Sequence, residues 1–146
     1  KIKDLNSFFQ NNLNIKTPKF ALCGLNPHAG EDGILGREEI DILIPAVKIL
    51  RQAGISITDP LPSDTLFVKA GCAYNSNNQV PYDCYIAAYH DQGLIPIKTV
   101  AGIRTVNMTI GLDIIRTSPG HGTAFDIAGQ HIADESGMIA AIKAVL

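Results

Sequence analysis

Tryptophan is absent from this 146-residue sequence, and the aromatic complement is only four tyrosines and five phenylalanines. That leaves no evident stacking platform for nucleic-acid bases. Charge of one sign is also missing: 12 basic and 14 acidic residues give a net charge of −2. Neither nucleic acid nor an anionic membrane surface is therefore expected as a partner. No apolar run approaches the length of a membrane span, and no signal-peptide pattern is present. Three cysteines, Cys23, Cys72 and Cys84, contain no CxxC pair. An odd count without a paired framework predicts reduced thiols and a cytoplasmic location. Cys23 lies in an apolar run and reads as buried packing. Internal repeats, low-complexity tracts and linkers are lacking too.

What is present reads as one globular domain. The chain is 46% hydrophobic and 18% charged, and a domain of this size buries roughly 68–70% of its unfolded surface. Ile2, Leu5, Phe8, Phe9 and Leu13 share a helical face, predicting an amphipathic helix from Lys3 to about Asn14. "KFALCGL" reads as a buried strand closing in glycine. "REEIDILIPAVKILRQAG" has a helical apolar repeat, with Glu38 and Glu39 favourable to the dipole in its first turn. Pro45 is expected to kink it. "ISITDPLPSD" predicts a short strand and loop, with Ser63 capping a short helix over "DTLFVKAG". "YNSNNQVPYD" reads as a turn, and "CYIAAYH" as a second buried strand ending at His90. "DQGLIPIKTVAG" reads as loop and short helix, "TVNMTI" as a third strand, and "DIIRTS" as a fourth ending at Arg116. "GTAFDIAGQH" and "SGMIAAIKAVL" read as closing helices.

Alternating strands and helices predict an α/β fold with a mostly parallel sheet. Ligands of such sheets bind beyond the carboxyl ends of the strands. His28, His90, Asn107 and Arg116 are expected near those ends.

Each candidate has a functional and an ordinary reading. His28 and His90, 62 positions apart, have the chemistry to share a divalent ion, or to cap loop backbone groups. Two imidazoles fall short of a zinc or manganese site. A third ligand has to come from Asp64, Asp91, another chain or sequence outside this one. "HAGEDGILG" opens a helix and offers backbone N–H groups to an anion, but it is neither GxGxxG nor a P-loop, and a tight turn explains it as well. Lys98, Asn107 and Arg116 form a basic and polar set suited to phosphate or carboxylate; singly, such residues are usually a solvated lysine, a turn cap and a surface ion pair. Asp64 is either a helix-dipole partner or a proton acceptor beside a metal. His121 reads as a helix cap or a phosphate contact, and His131 as a surface residue.

Taken in order, "GLNPHAGE", "PLPSDTLF", "YHDQGLIPIK", "VNMTIGL" and "IRTSPGHGTAFDIAG" resemble the 4-hydroxythreonine-4-phosphate dehydrogenases of vitamin B6 biosynthesis. The likeness runs from about Phe20 to the C-terminus. It implies a two-domain α/β/α fold of the isocitrate/isopropylmalate dehydrogenase type, working as a homodimer with a shared active site. It implies NAD-dependent oxidation of a phosphorylated substrate, with NADP open, followed by decarboxylation to 3-amino-2-oxopropyl phosphate. It further implies a divalent metal (Zn, Mg, Mn or Co) held by three histidines from both subunits. His28 and His90 match two of these ligands. Lys98, Asn107 and Arg116 match substrate-binding residues, and Asp64 matches an acid near the reacting centre. Asp64 or Lys98 would relay the proton.

Gly120 stands where family members often carry an acid before the HGT histidine. Family chains are about twice as long, and their N-terminal half supplies the third histidine and a His-Thr substrate contact. The expectation is therefore a C-terminal portion of a two-domain dehydrogenase, inactive by itself. Two rivals are a non-catalytic module binding a phosphorylated metabolite, and an acyl-phosphate transferase, which shares a related fold but needs no paired histidines.

Overall fold

A computed structural model describes residues 1–76 and 78–146. Asn77, within the turn expected over "YNSNNQVPYD", lies outside the described residues. The chain divides into two compact units, Lys1–Pro96 and Ile97–Leu146.

In the first unit, helix α1 (Ile2–Asn12) precedes strand β1 (Lys19–Leu22), helix α2 (Ile44–Gln52), strand β2 (Ser56–Ile57), helix α3 (Ser63–Asn75) and strand β3 (Cys84–Ile86). The strands form a parallel sheet in the order β2-β1-β3, with Phe20 opposite both Ile57 and Cys84. β1 is central and buried on both faces, which is why it reads as an unbroken apolar run. Its side chains alternate between two cores. Phe20 and Leu22 pack with Phe9 of α1 and Val47 of α2. Ala21 and the adjoining Cys23 pack with Leu66 and Phe67 of α3. This is the expected α/β/α layering. Phe9 meets Phe20 edge-on, with ring centroids 5.6 Å apart.

Several local expectations need correction. The helical run is continuous from Glu38 to Gln52, with a π-helical stretch, Glu39–Leu43, immediately before Pro45 in the first turn of α2. The irregularity expected at the proline thus falls on its N-terminal side, where a wider π turn accommodates the ring and the missing N–H. Ser63 does not cap α3; Pro62 holds the cap position without a side-chain bond. The Ser63 hydroxyl donates instead to the Gly24 carbonyl, 3.2 Å away. α3 also runs on through Asn75, into the expected turn. β3 stops at Ile86 and is only half buried, and His90 opens helix α4 (His90–Ala101) rather than closing a strand.

The second unit contains an antiparallel pair, β4 (Val106–Thr109) and β5 (Arg116–Pro119), with helix α5 (Ser136–Lys143) against it. A Thr117 Oγ1 bond to the Ala141 carbonyl, 2.9 Å, ties the helix to β5. Arg116 begins β5 instead of ending it. Only Phe125–Ile127 of "GTAFDIAGQH" is helical, as one 3-10 turn, because Ala124 takes a left-handed conformation before it. Among the described residues, no helix is long and apolar enough to cross a membrane.

Candidate functional site

The carboxyl ends of the parallel strands are tied together beyond the formal sheet. The Cys23 N–H donates to the Ile86 carbonyl (2.9 Å), Leu61 N–H to the Leu22 carbonyl (2.9 Å), and Gly24 N–H to the Leu61 carbonyl (2.8 Å). These bonds draw the loops after β1, β2 and β3 to one edge. A cavity of about 270 Å³ opens there, lined by Gly24, Leu25, Asn26, Pro27, His28, Ser63, Asp64, Tyr89 and Gln92. Its position is the one expected of a ligand crevice in a parallel sheet.

The loop after β1 is unusual. From His28 to Asp32 every residue has positive φ: 52°, 54°, 85°, 43° and 53°. A left-handed turn costs roughly 1–2 kcal/mol for each non-glycine residue, so neighbours must hold it. Glu39 is the chief support. It is only 2% exposed, and no cation pairs with it among the described residues. Its carboxylate accepts from the Asn26 backbone N–H and from Asn26 Nδ2, both at 2.8 Å. Burial pushes the Glu39 carboxyl up. Hydrogen bonds from Asn26 backbone and side chain, from its own backbone and from Leu25 outweigh that and hold it below its ordinary value. A Cβ at Gly30 would stand 2.9 Å from Glu39 Oε2, so glycine is needed where turn and carboxylate meet.

His28 and Asp64 are brought to the same cavity and are both exposed. Neither side chain has a hydrogen-bond partner among the described residues. His90 follows the cavity-lining Tyr89, and its Nδ1 lies 2.7 Å from the Asp91 carboxylate. With Nδ1–H donating to Asp91, Nε2 is left as a free lone-pair donor, an arrangement typical of a metal-binding imidazole. Each of these groups singly has the chemistry of a metal ligand, but His90 does not line the cavity that His28 and Asp64 share. No cluster of three or more potential ligands occurs among the described residues.

Lys98, Asn107 and Arg116 belong to the second unit. Lys98 is exposed in the last turn of α4. In the β4–β5 register Asn107 faces Ser118 and Thr109 faces Arg116, which puts Asn107 and Arg116 on one face of the ribbon. Arg116 Nη1 donates to Thr109 Oγ1 at 2.9 Å. Gly120 packs so closely that an added Cβ would lie 2.8 Å from the Thr105 carbonyl, so an acid would not fit there without a shift. His121 donates from Nδ1 to the Gly122 carbonyl, 2.9 Å, and His131 is exposed.

Two residues of the site carry no clear sequence signal. Glu39 has the position of a helix-dipole partner, but it lies four and eight residues before Leu43 and Val47, which pack in the core, and that spacing points it inward. Gln92, 8% exposed, bonds to both Gly24 and Ser63. No spacing signals that role.

Parallel strands sandwiched by helices, with a cavity at their carboxyl edge, define a dehydrogenase-like α/β fold. A family model, "Pyridoxal phosphate biosynthetic protein PdxA", matches residues 1–145. The chain belongs to that family, the 4-hydroxythreonine-4-phosphate dehydrogenases. It is 49% identical over 143 residues to the 4-hydroxythreonine-4-phosphate dehydrogenase of Sulfurihydrogenibium sp. (strain YO3AOP1), covering 98% of this chain and 42% of the relative. The crystal structure of the Klebsiella pneumoniae 4-hydroxythreonine-4-phosphate dehydrogenase superposes with a TM-score of 0.82 at 41% identity, covering 98% of this chain and 41% of that one. A terephthalate 1,2-cis-dihydrodiol dehydrogenase structure from Burkholderia xenovorans LB400 matches with a TM-score of 0.65 at 38% identity, covering 91% and 40%. The chain therefore spans about two-fifths of the length of these relatives.

Proposed function

We propose that the complete protein oxidises 4-hydroxy-L-threonine 4-phosphate with NAD and decarboxylates the product to 3-amino-2-oxopropyl phosphate, in pyridoxal phosphate biosynthesis. The observation that carries this reading is family membership across residues 1–145. The cavity chemistry supports it. His28 and His90 would hold a divalent cation, with the third ligand supplied from outside this chain. When bound, the cation supplies Lewis acidity to the reacting oxygen and NAD accepts the hydride. NAD is assigned from the family alone, and no residue of the cavity marks its subsite.

This chain's own residues then have defined tasks. Asp64, unpartnered at the cavity wall, accepts the proton leaving the substrate hydroxyl; Lys98 is the alternative carrier. Asn107 and Arg116 share a ribbon face and, with Lys98, are assigned to the substrate's anionic groups. Arg116 offers a planar fork and Lys98 a point charge. A shared homodimer site and a cytoplasmic location complete the reading. As an isolated chain, the 146 residues are expected to be nearly inactive.

The test is NADH formation by the full-length protein with the phosphorylated substrate and Zn, Mg, Mn or Co in turn. No turnover with any of the four metals would sink the reading. Because a cis-dihydrodiol dehydrogenase is among the structural relatives, a carboxylated cis-dihydrodiol belongs in the same assay. Turnover of that compound alone would move the assignment to a sister substrate.

A further inference from the structure

The β4–β5 ribbon has two unlike faces. Thr117 Oγ1 donates to the Ala141 carbonyl of α5, so Val106, Met108, Thr117 and Pro119 share the face towards that helix. Asn107, Thr109, Arg116 and Ser118 share the other face, and none of them is acidic. Thr109 and Arg116 stand directly opposite each other in the register. There Arg116 Nη1 donates to Thr109 Oγ1 at 2.9 Å. No carboxylate pairs with Arg116 among the described residues.

The partner that holds this arginine is therefore neutral. An acid in that place would grip the guanidinium harder but would also compensate its charge. A hydroxyl holds it and leaves the charge whole. The contact uses one N–H donor and leaves the rest of the fork for a ligand. Thr109 is half buried and branched at Cβ, which restricts its χ1. It gives the long, exposed Arg116 arm a stiff point of attachment. Ordering such an arm before a ligand arrives removes part of the entropy cost of binding. We propose that Thr109 is a positioning residue, which braces the Arg116 guanidinium with its charge uncompensated for an oxyanion of the substrate. This inference rests on the assignment of Arg116 to the substrate's anionic groups given above.

The test is steady-state kinetics of the full-length protein with 4-hydroxy-L-threonine 4-phosphate. Thr109→Val keeps the shape and removes the acceptor. KM is expected to rise about threefold to tenfold, the range spanned by ordering one long side chain, with kcat little changed. Thr109→Ser restores the acceptor and should keep KM near the wild-type value. Thr109→Asp is the sharper variant. It should tighten the contact with Arg116 yet raise KM by about 10–100-fold, the scale of a hydrogen bond to a charged group. A purely structural role predicts the reverse order, valine worse than aspartate, and that order overturns the proposal. An unchanged KM in Thr109→Val overturns it too. Should Thr109→Asp not fold, the contrast between valine and serine decides. Inorganic phosphate as a competitive inhibitor locates the anion. A Ki that rises with KM in Thr109→Val marks the phosphate; a raised KM with unchanged Ki marks the carboxylate. Arg116→Ala separates the failures. If it leaves KM unchanged, the assignment of Arg116 to substrate is wrong; if it alone raises KM, only the role of Thr109 falls. A wild-type protein that does not turn over this substrate overturns both.

Discussion

Replacing Glu39 by glutamine should loosen the turn that carries His28, by an amount the geometry allows to be worked out. The carboxylate accepts two short bonds from Asn26, each 2.8 Å, at a position only 2% exposed. A hydrogen bond to a charged group contributes about 1.5–3 kcal/mol, and a buried donor left unpaired costs a further 1–3 kcal/mol or so. Glutamine keeps one acceptor oxygen but turns an NH2 group towards an N–H donor. Glu38 relieves part of the loss, since Asn26 Nδ2 also donates to it at 2.7 Å. The net expectation is a loss of about 2–3 kcal/mol at neutral pH. The pH dependence is specific. Hydrogen bonds hold the folded carboxyl below its ordinary value. Its contribution is therefore complete above the unfolded pKa of about 4.3 and fades as pH falls through the folded value. Urea denaturation of wild type and variant at pH 7 and in the acid range measures both. The gap between them should be constant above roughly pH 5 and shrink below the unfolded value. Hydrogen exchange should show the faster opening confined to the segment around residues 26–33. Equal stability at pH 7, or a gap that widens on acidification, would refute the assignment of Glu39 as the anchor.

Two further outcomes follow from local geometry. Gly36 has φ of 141°, and a Cβ there would overlap the Asn26 carboxamide and stand 2.7 Å from Glu38 Oε2. Gly36→Ala should therefore destabilise by about 1–3 kcal/mol. Gly71→Ala, inside α3 with open space around it, should stabilise by about 0.5–1 kcal/mol; thermal melts that rank the two the other way contradict the account. Burial pushes the Cys23 and Cys84 thiols up, whereas Cys72 is exposed. Timed alkylation followed by peptide mass mapping should find Cys72 modified first; labelling of Cys23 at the same rate would count against the packing described for β1.

Much of the scaffold was legible in the residue pattern. The apolar run of β1 and the amphipathic spacing of α1 are local signals, because burial on two faces or on one stripe imposes its own periodicity. From alternating strands and helices followed the parallel sheet, and from the sheet followed the edge where His28 lines a cavity; His90, also expected there, does not line it, and Asn107 and Arg116 lie on a separate antiparallel pair. The ordered motifs identified the family that the comparisons show.

Other features lay beyond any local pattern. β4 and β5 pair antiparallel, with Arg116 at the start of its strand, because a short connection permits a direct return. The left-handed course of His28–Asp32 contradicts the preference of each non-glycine residue in it. It stands because a carboxylate thirteen positions from Asn26 anchors the loop. Gln92 reaches Gly24 across 68 positions and Ser63 across 29. Sequence alone determined which residue types were available and which elements would bury them. The tertiary structure alone decided which buried polar atoms met, because a hydrogen bond over such separations exists only after the layers have packed.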